Sequence, residues 1–332
     1  MGVKKYLTSV FFIAFSLCSY AGKKETVTKF IEEYKKGMIC LKGGIFTMGD
    51  SYRESGSFTA YRLKGSGVIL KGPNTAGHCD VMYTWFTKGP HKVKLSPFCM
   101  HEREVTFKDY DFYTKENNLP HIYNLEVLLE EFKKENGIKK KNMKSLLRER
   151  GFKKDREVDR PALIPRWKAA NDFCAWLKKE SGLPFDLPTE AQWEYVASDK
   201  GRNKGCNATA DGTNNPRINL PYSPNSTYKV KSYPPNPLGF YDLGGNVSEF
   251  VKNRVTGKAK VGSRRRTDGK EWPLEVDPQG DEEGDTYIKR GGSHLDNDVS
   301  YFNRGHYSYK EGERAFSTGL RCVLNMKGKN LK

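Results

Sequence analysis

The segment GFYDLGGNVSEF, from Gly239 to Phe250, places two carboxylates, Asp242 and Glu249, on either side of a Gly244-Gly245 turn. Calcium takes several oxygen ligands, and a tight glycine turn frees backbone carbonyls beside the acids that flank it. The segment is therefore suited to hold calcium. The plainer alternative is a turn whose acids face solvent.

Outward from this turn, short periodic segments alternate with turns. Upstream, Thr189-Glu190-Ala191-Gln192 has the spacing of a capping box, and Trp193, Tyr195 and Val196 follow as apolar bulk. Residues 166–180 are predicted helical, because Ala169, Ala170, Phe173, Cys174 and Leu177 share one face and Gly182 stands just past the end. Thr106 begins another helix, with Asp109 three residues on to satisfy the opening amides. Gly43–Gly49 reads as a strand between glycine turns, and Lys92–Met100 alternates like a second. Strand-like stretches follow at Thr286–Ser293 and Thr318–Leu324.

Three stretches look inserted. Residues 50–92 are rich in Gly, Ser and Lys; 121–157 suggest two short basic amphipathic helices; 252–285 read as an exposed loop holding Arg264-Arg265-Arg266 and the acids Asp281, Glu282 and Glu283.

At the N-terminus, Lys4 and Lys5 precede an apolar run from Tyr6 to Leu17, and Ser19-Tyr20-Ala21 offers small residues for cleavage. Residues 1–21 are thus expected to be a signal peptide, residues 22–39 a lead-in, and residues 40–325 one domain. The product would be exported, to a periplasm or beyond the cell. Loss of two lysines takes the formal charge from +17 to +15, an excess that favours acidic partners such as polyanions, an envelope surface or acidic proteins. No motif specific for nucleic acid occurs. The six cysteines past the peptide, Cys40, Cys79, Cys99, Cys174, Cys206 and Cys322, favour disulfides in an exported chain and show no zinc spacing.

Five segments in one order resemble the formylglycine-generating enzyme, or sulfatase-modifying factor, family: GGIFTMGD (Gly43–Asp50), WKAANDFCAW (Trp167–Trp176), LPTEAQWEYV (Leu187–Val196), the Gly239–Phe250 segment, and RGGS (Arg290–Ser293) with GLRC (Gly319–Cys322). The resemblance implies an α+β fold, irregular and loop-rich, related to C-type lectins. It implies a structural calcium held by the side chains of Asp242 and Glu249 and the carbonyls of Gly245 and Val247. A second calcium site would begin at Asn219 and the carbonyl of Leu220, though its downstream acid has no clear counterpart here. The resemblance also pairs Cys174 with Cys322. The other four cysteines allow three pairings, among which sequence does not choose.

The family's oxidases hold copper(I) through two cysteines, three and eight residues past the Gly-Gly-Ser motif. Those offsets fall on Asp296 and Tyr301, and copper(I) requires soft thiolates, so copper is not expected. The surrounding residues His294, Asp296, Asp298, Tyr301, Arg304 and His306 form a titratable groove suited to binding or acid–base work. Iron or zinc on His294, His306 and Asp296 is chemically conceivable, but the spacing matches no ligand template. Two functions follow: a non-copper enzyme modifying a peptide or metabolite outside the cytoplasm, or a lectin-like module binding a ligand or protein without catalysis. A formylglycine-generating oxidase ranks below both.

Overall fold

The computed structural model describes residues 24–49, 59–62, 68–71, 91–120, 157–202, 226–255, 271–280, 284, 286–294, 306–310 and 317–326. Residues 24–35 form helix α1. It is followed by β1 (Met38–Leu41), β2 (Gly44–Met48), β3 (Thr59–Arg62), β4 (Val68–Lys71), β5 (His91–Leu95), β6 (Phe98–His101) and α2 (Phe107–Glu116). Then come α3 (Trp167–Ser181), β7 (Phe185–Asp186), α4 (Glu190–Ala197), β8 (Ser248–Val255), β9 (Glu275–Val276), β10 (Thr286–Arg290), β11 (His306–Lys310), β12 (Thr318–Gly319) and β13 (Val323–Asn325). The strands group as β1-β6-β13-β7, β11-β10-β8-β12, β2-β5-β9 and the hairpin β3-β4. This is the irregular α+β arrangement expected.

The helix starts obey local chemistry. Thr106 accepts a hydrogen bond from the Asp109 amide, and Asp109 accepts from Thr106 N at 2.9 Å, a reciprocal cap for α2. Thr189 and Gln192 do the same for α4. Gly182 closes α3 in the left-handed conformation, φ 68°, which glycine adopts without steric cost. The lead-in carries α1, which the sequence reading leaves without a helix. Its Val27, Ile31 and Tyr34 are buried at helical spacing, and Phe30 stacks on Phe112 at 4.3 Å.

Two expected strands are each split between sheets. Lys92–Met100 divides at Ser96-Pro97 into β5, which pairs with β2 and β9, and β6, which pairs with β1 and β13. Pro97 has no amide to continue a ladder, and Asp277 captures Ser96 through its amide and its hydroxyl, each at 2.7 Å. Thr318–Leu324 divides likewise into β12 and β13; Leu320 O accepts from Val105 N and Cys322 O from His101 N between them. The expected exposed loop 252–285 needs a related correction. Residues 252–255 continue β8 inside a sheet, and β9 pairs in parallel with β5. The helices expected within 121–157 lie outside the described residues.

Cys174 on α3 is bonded to Cys322, as the resemblance implies, and both are buried. Of the three open pairings, the structure joins Cys40 on β1 to its register partner Cys99 on β6. Cys79 and Cys206 lie outside the described residues.

Candidate functional site

Asp242, Gly245 and Asn246 have φ of 58°, 96° and 57°. These left-handed steps turn the chain at residues 242–246, just before β8 carries Glu249 into the sheet. Glu249, fully buried, accepts from Trp193 Nε1 at 2.8 Å and from Arg321 Nε at 2.7 Å on Oε2, and from Arg321 Nη2 at 2.5 Å on Oε1. Arg321 is equally buried and also donates to the carbonyls of His101, Glu102 and Tyr241, so all five of its N–H groups are used. Asp242 Oδ2 accepts from Lys231 N at 2.8 Å.

A third acid, Glu104, enters from the turn between β6 and α2. Sequence reasoning missed it. It is fully buried, with Oε2 accepting from Asn246 Nδ2 at 2.7 Å and Oε1 from Val247 N at 3.2 Å. Burial raises the Glu104 carboxyl well above the usual range, and the charges of Asp242 and Glu249 push the same way. Burial raises Asp242 to about 6, helped by Glu249 and opposed by the Lys231 amide and Arg321. The buried Glu104 and Glu249 and the half-buried Asp242 thus share the charge of Arg321, which bonds directly to Glu249. No group of three or more His, Cys, Asp or Glu side chains among the described residues is placed to hold a metal. The calcium ligands that the resemblance implies are Asp242 and Glu249, with the carbonyls of Gly245 and Val247; here both Glu249 oxygens accept from Arg321, Oε2 also from Trp193, and Asp242 Oδ2 accepts from Lys231 N. Asn219 and Leu220 lie outside the described residues.

The Asp242 carboxyl makes a pH prediction. Its folded pKa lies above the unfolded value, so its contribution is most favourable at low pH and is lost as pH rises from about 4 through about 6. In calcium-free buffer, wild type should lose up to about 3 kcal/mol relative to Asp242→Asn between pH 4 and pH 7. Denaturant unfolding at the two pH values checks this; a pH-independent difference would contradict the raised pKa of Asp242.

Facing this turn is the Gly-Gly-Ser segment at the end of β10. Arg290, fully buried, donates to Glu190 and Glu194 of α4 at 2.7 Å each and lies 5.1 Å from the Trp193 ring centroid. Gly291 has φ 88°, and a Cβ there would sit 2.8 Å from Leu243 O, so glycine is required at this close approach. Gly245 N donates to Gly291 O at 2.9 Å. His294 N and the His294 Nδ1 position both meet Asn246 O at 2.9 Å, and the residue is 4% exposed. His294 was expected in an accessible groove, and its ring is instead packed against the Asn246 carbonyl. His306 opens β11 in register with Arg290, while Asp296, Asp298, Tyr301 and Arg304 lie outside the described residues.

Residues 23–326 match the model of the sulfatase-modifying factor enzyme 1-like domain. The chain belongs to this family. Sulfatase-modifying-factor relatives by sequence include the formylglycine-generating enzyme of Streptomyces coelicolor, 31% identical over 180 residues, 49% of this chain and 52% of that protein. The serine/threonine-protein kinase pkn1 of Chlamydia pneumoniae is 28% identical over 170 residues, 50% of this chain and 24% of the kinase. The chain thus matches about half the length of the first protein and a quarter of the second. Among solved structures, PvdO from Pseudomonas aeruginosa superposes with a TM-score of 0.54 at 18% identity, covering 87% of this chain and 94% of PvdO. The Treponema denticola variable protein 1 gives 0.51 at 19% identity, covering 82% of this chain and all of that one. These likenesses establish the sulfatase-modifying-factor fold.

Proposed function

We propose that this chain is an exported, copper-independent member of the sulfatase-modifying-factor family that modifies a peptide or metabolite outside the cytoplasm, with calcium as a structural ion. The observation that carries the reading is the identity of Asp296 and Tyr301 at the two copper offsets. Those offsets count from a Gly-Gly-Ser turn that hydrogen bonds to Gly245 and Asn246 fix in place. An aspartate and a tyrosine present hard oxygens, which hold copper(I) poorly.

A specific observation favours the second reading, a ligand-binding module without catalysis. Of the six groove residues, His294 is the one whose side chain is described, and the fold itself uses its ring. That leaves Asp296, Asp298, Tyr301, Arg304 and His306 to carry any acid–base chemistry, or simply to contact a ligand.

Copper chemistry provides the test. Titrated with copper(I) against a chromophoric chelator, the purified protein is expected to bind no stoichiometric copper and to leave a cysteine-containing sulfatase peptide unoxidised. One tightly held copper per chain, with conversion of that cysteine to formylglycine, would overturn the proposal. Stoichiometric iron in the same preparation would return the protein to metal-dependent oxidation.

A further inference from the structure

The sheet β2-β5-β9 turns one face to the core and leaves the other in water. Phe46, Met48, Val93 and Leu95 alternate inward and are buried. The positions between them face out, and in register Ile45 lies opposite Lys94, which lies opposite Val276. Ile45 and Val276 are each 58% exposed, and Leu274, two residues ahead of Val276 where the chain enters β9, is 48% exposed. Three of the five exposed large hydrophobic residues among those described thus gather at one sheet. Scattered singly they would need no account, but side by side they form a patch.

The charges on this face are of one sign. Lys92 and Lys94 point outward, and Lys92 Nζ donates to Thr47 Oγ1 at 2.9 Å, so its stem lies along the sheet. The acids of β9 and its exit are turned elsewhere. Glu275 stands on the inner side, 4.0 Å from His91 Nε2, and Asp277 holds Ser96 with both carboxylate oxygens. Among the described residues, no carboxylate shares the outward rows of these three strands.

We propose that this face docks on an anionic lipid surface. Ile45, Leu274 and Val276 enter the headgroup boundary, and Lys92 and Lys94 pair with lipid phosphates. Lysine stems reach back to the phosphates while the aliphatic side chains leave water, so the two residue types act together. The formal charge of +17 draws the whole molecule toward the same surface. Such docking is independent of which reaction, if any, the chain carries out. Two other occupants fit less well. A second copy set face to face would bring Lys92 and Lys94 against their equivalents. A stable protein partner uses about 20–30 residues a side, several times the outward positions of these short strands, whereas a lipid surface sets no such minimum.

The probe is a vesicle of phosphatidylcholine with about one-third phosphatidylglycerol, sedimented with the chain from residue 22 onward. The apolar run before residue 22 is left off because it would bind lipid by itself. Wild type should bind these vesicles, release in high salt and ignore pure phosphatidylcholine. Lys92→Gln with Lys94→Gln should weaken binding about 30-fold, at about 1 kcal/mol per lysine near an anionic surface. The same change at Lys178 and Lys179, exposed at the end of α3, should weaken it by about threefold or less. Ile45→Thr with Val276→Thr keeps the charge and the β-branched shape, and should weaken binding about tenfold through lost insertion. Both side chains are more than half exposed, so the fold should survive, as denaturant midpoints verify; the lysine pair tests the face in any case. Equal losses from the two lysine pairs would mean binding by net charge alone and overturn the proposal, as would full affinity in the threonine pair. Vesicles left unbound by wild type would also overturn it and point to an acidic protein as the occupant.

Discussion

Arg321→Met is expected to lower stability by about 3–5 kcal/mol at neutral pH, enough to unfold many domains outright. The guanidinium is fully buried and spends all five donors, two of them on Glu249 and three on the carbonyls of His101, Glu102 and Tyr241. Methionine fills similar volume but leaves those carbonyls unpaired and Glu104, Asp242 and Glu249 without the cation they share. Acid should partly rescue the variant, because protonation discharges the same carboxyls: Asp242 already sits near 6 and Glu104 well above its usual range. Arg321→Lys should recover little, since one ammonium offers three donors and lacks the fork that grips Glu249. Denaturant midpoints at pH 5 and pH 7.5 decide the matter. A loss under about 1 kcal/mol at both would mean that the arginine is not the counter-charge described.

The second large effect is expected from opening Cys174–Cys322. These residues are 148 apart in sequence, and the chain-entropy relation gives about 5 kcal/mol for a loop of that size. The bond ties α3 to the short segment that carries Arg321 into the core, so its loss also frees the arginine's backbone. The double variant Cys174→Ala with Cys322→Ala should therefore fold weakly or accumulate poorly. Removal of Cys40–Cys99, 59 residues apart and joining strands already hydrogen bonded, should cost about 4 kcal/mol on the same relation and leave a foldable protein. Urea unfolding of the two double-alanine variants, one for each disulfide, ranks them; a milder loss from opening Cys174–Cys322 would reverse the assignment of importance.

What could be read in advance was local or segmental. The Thr189 cap, the Thr106–Asp109 pair and the Gly182 stop are decided within four residues, and each is present. The family segments likewise led to the fold and to Cys174–Cys322. The split of Lys92–Met100 was not legible, because Asp277, 181 residues away, makes the break. Glu104 escaped notice for a similar reason: its partner Asn246 is 142 residues distant, and nothing near Glu104 marks it as an acid that must be buried. The signal for α1 was available in the spacing of Val27, Ile31 and Tyr34, but the surrounding Lys and Glu residues made the stretch look like a solvated lead-in. His294 was misplaced because a histidine beside aspartates suggests chemistry, whereas its donor was needed to hold a carbonyl.

The sheet β1-β6-β13-β7 joins the earliest strand to the last, with β6 between them. A ribosome releases these pieces in order, so β1 and β6 can meet early but must wait for residues 323–325 before β13 arrives beside them. Nascent chains of this design stay open along β6 until β13 is made, and their long-range closure is intrinsically slow. A polypeptide that cannot finish this sheet before β13 is made keeps β6 half-paired for longer. A truncation just before Val323 would remove the strand that joins β6 to β7 in the sheet that also holds β1.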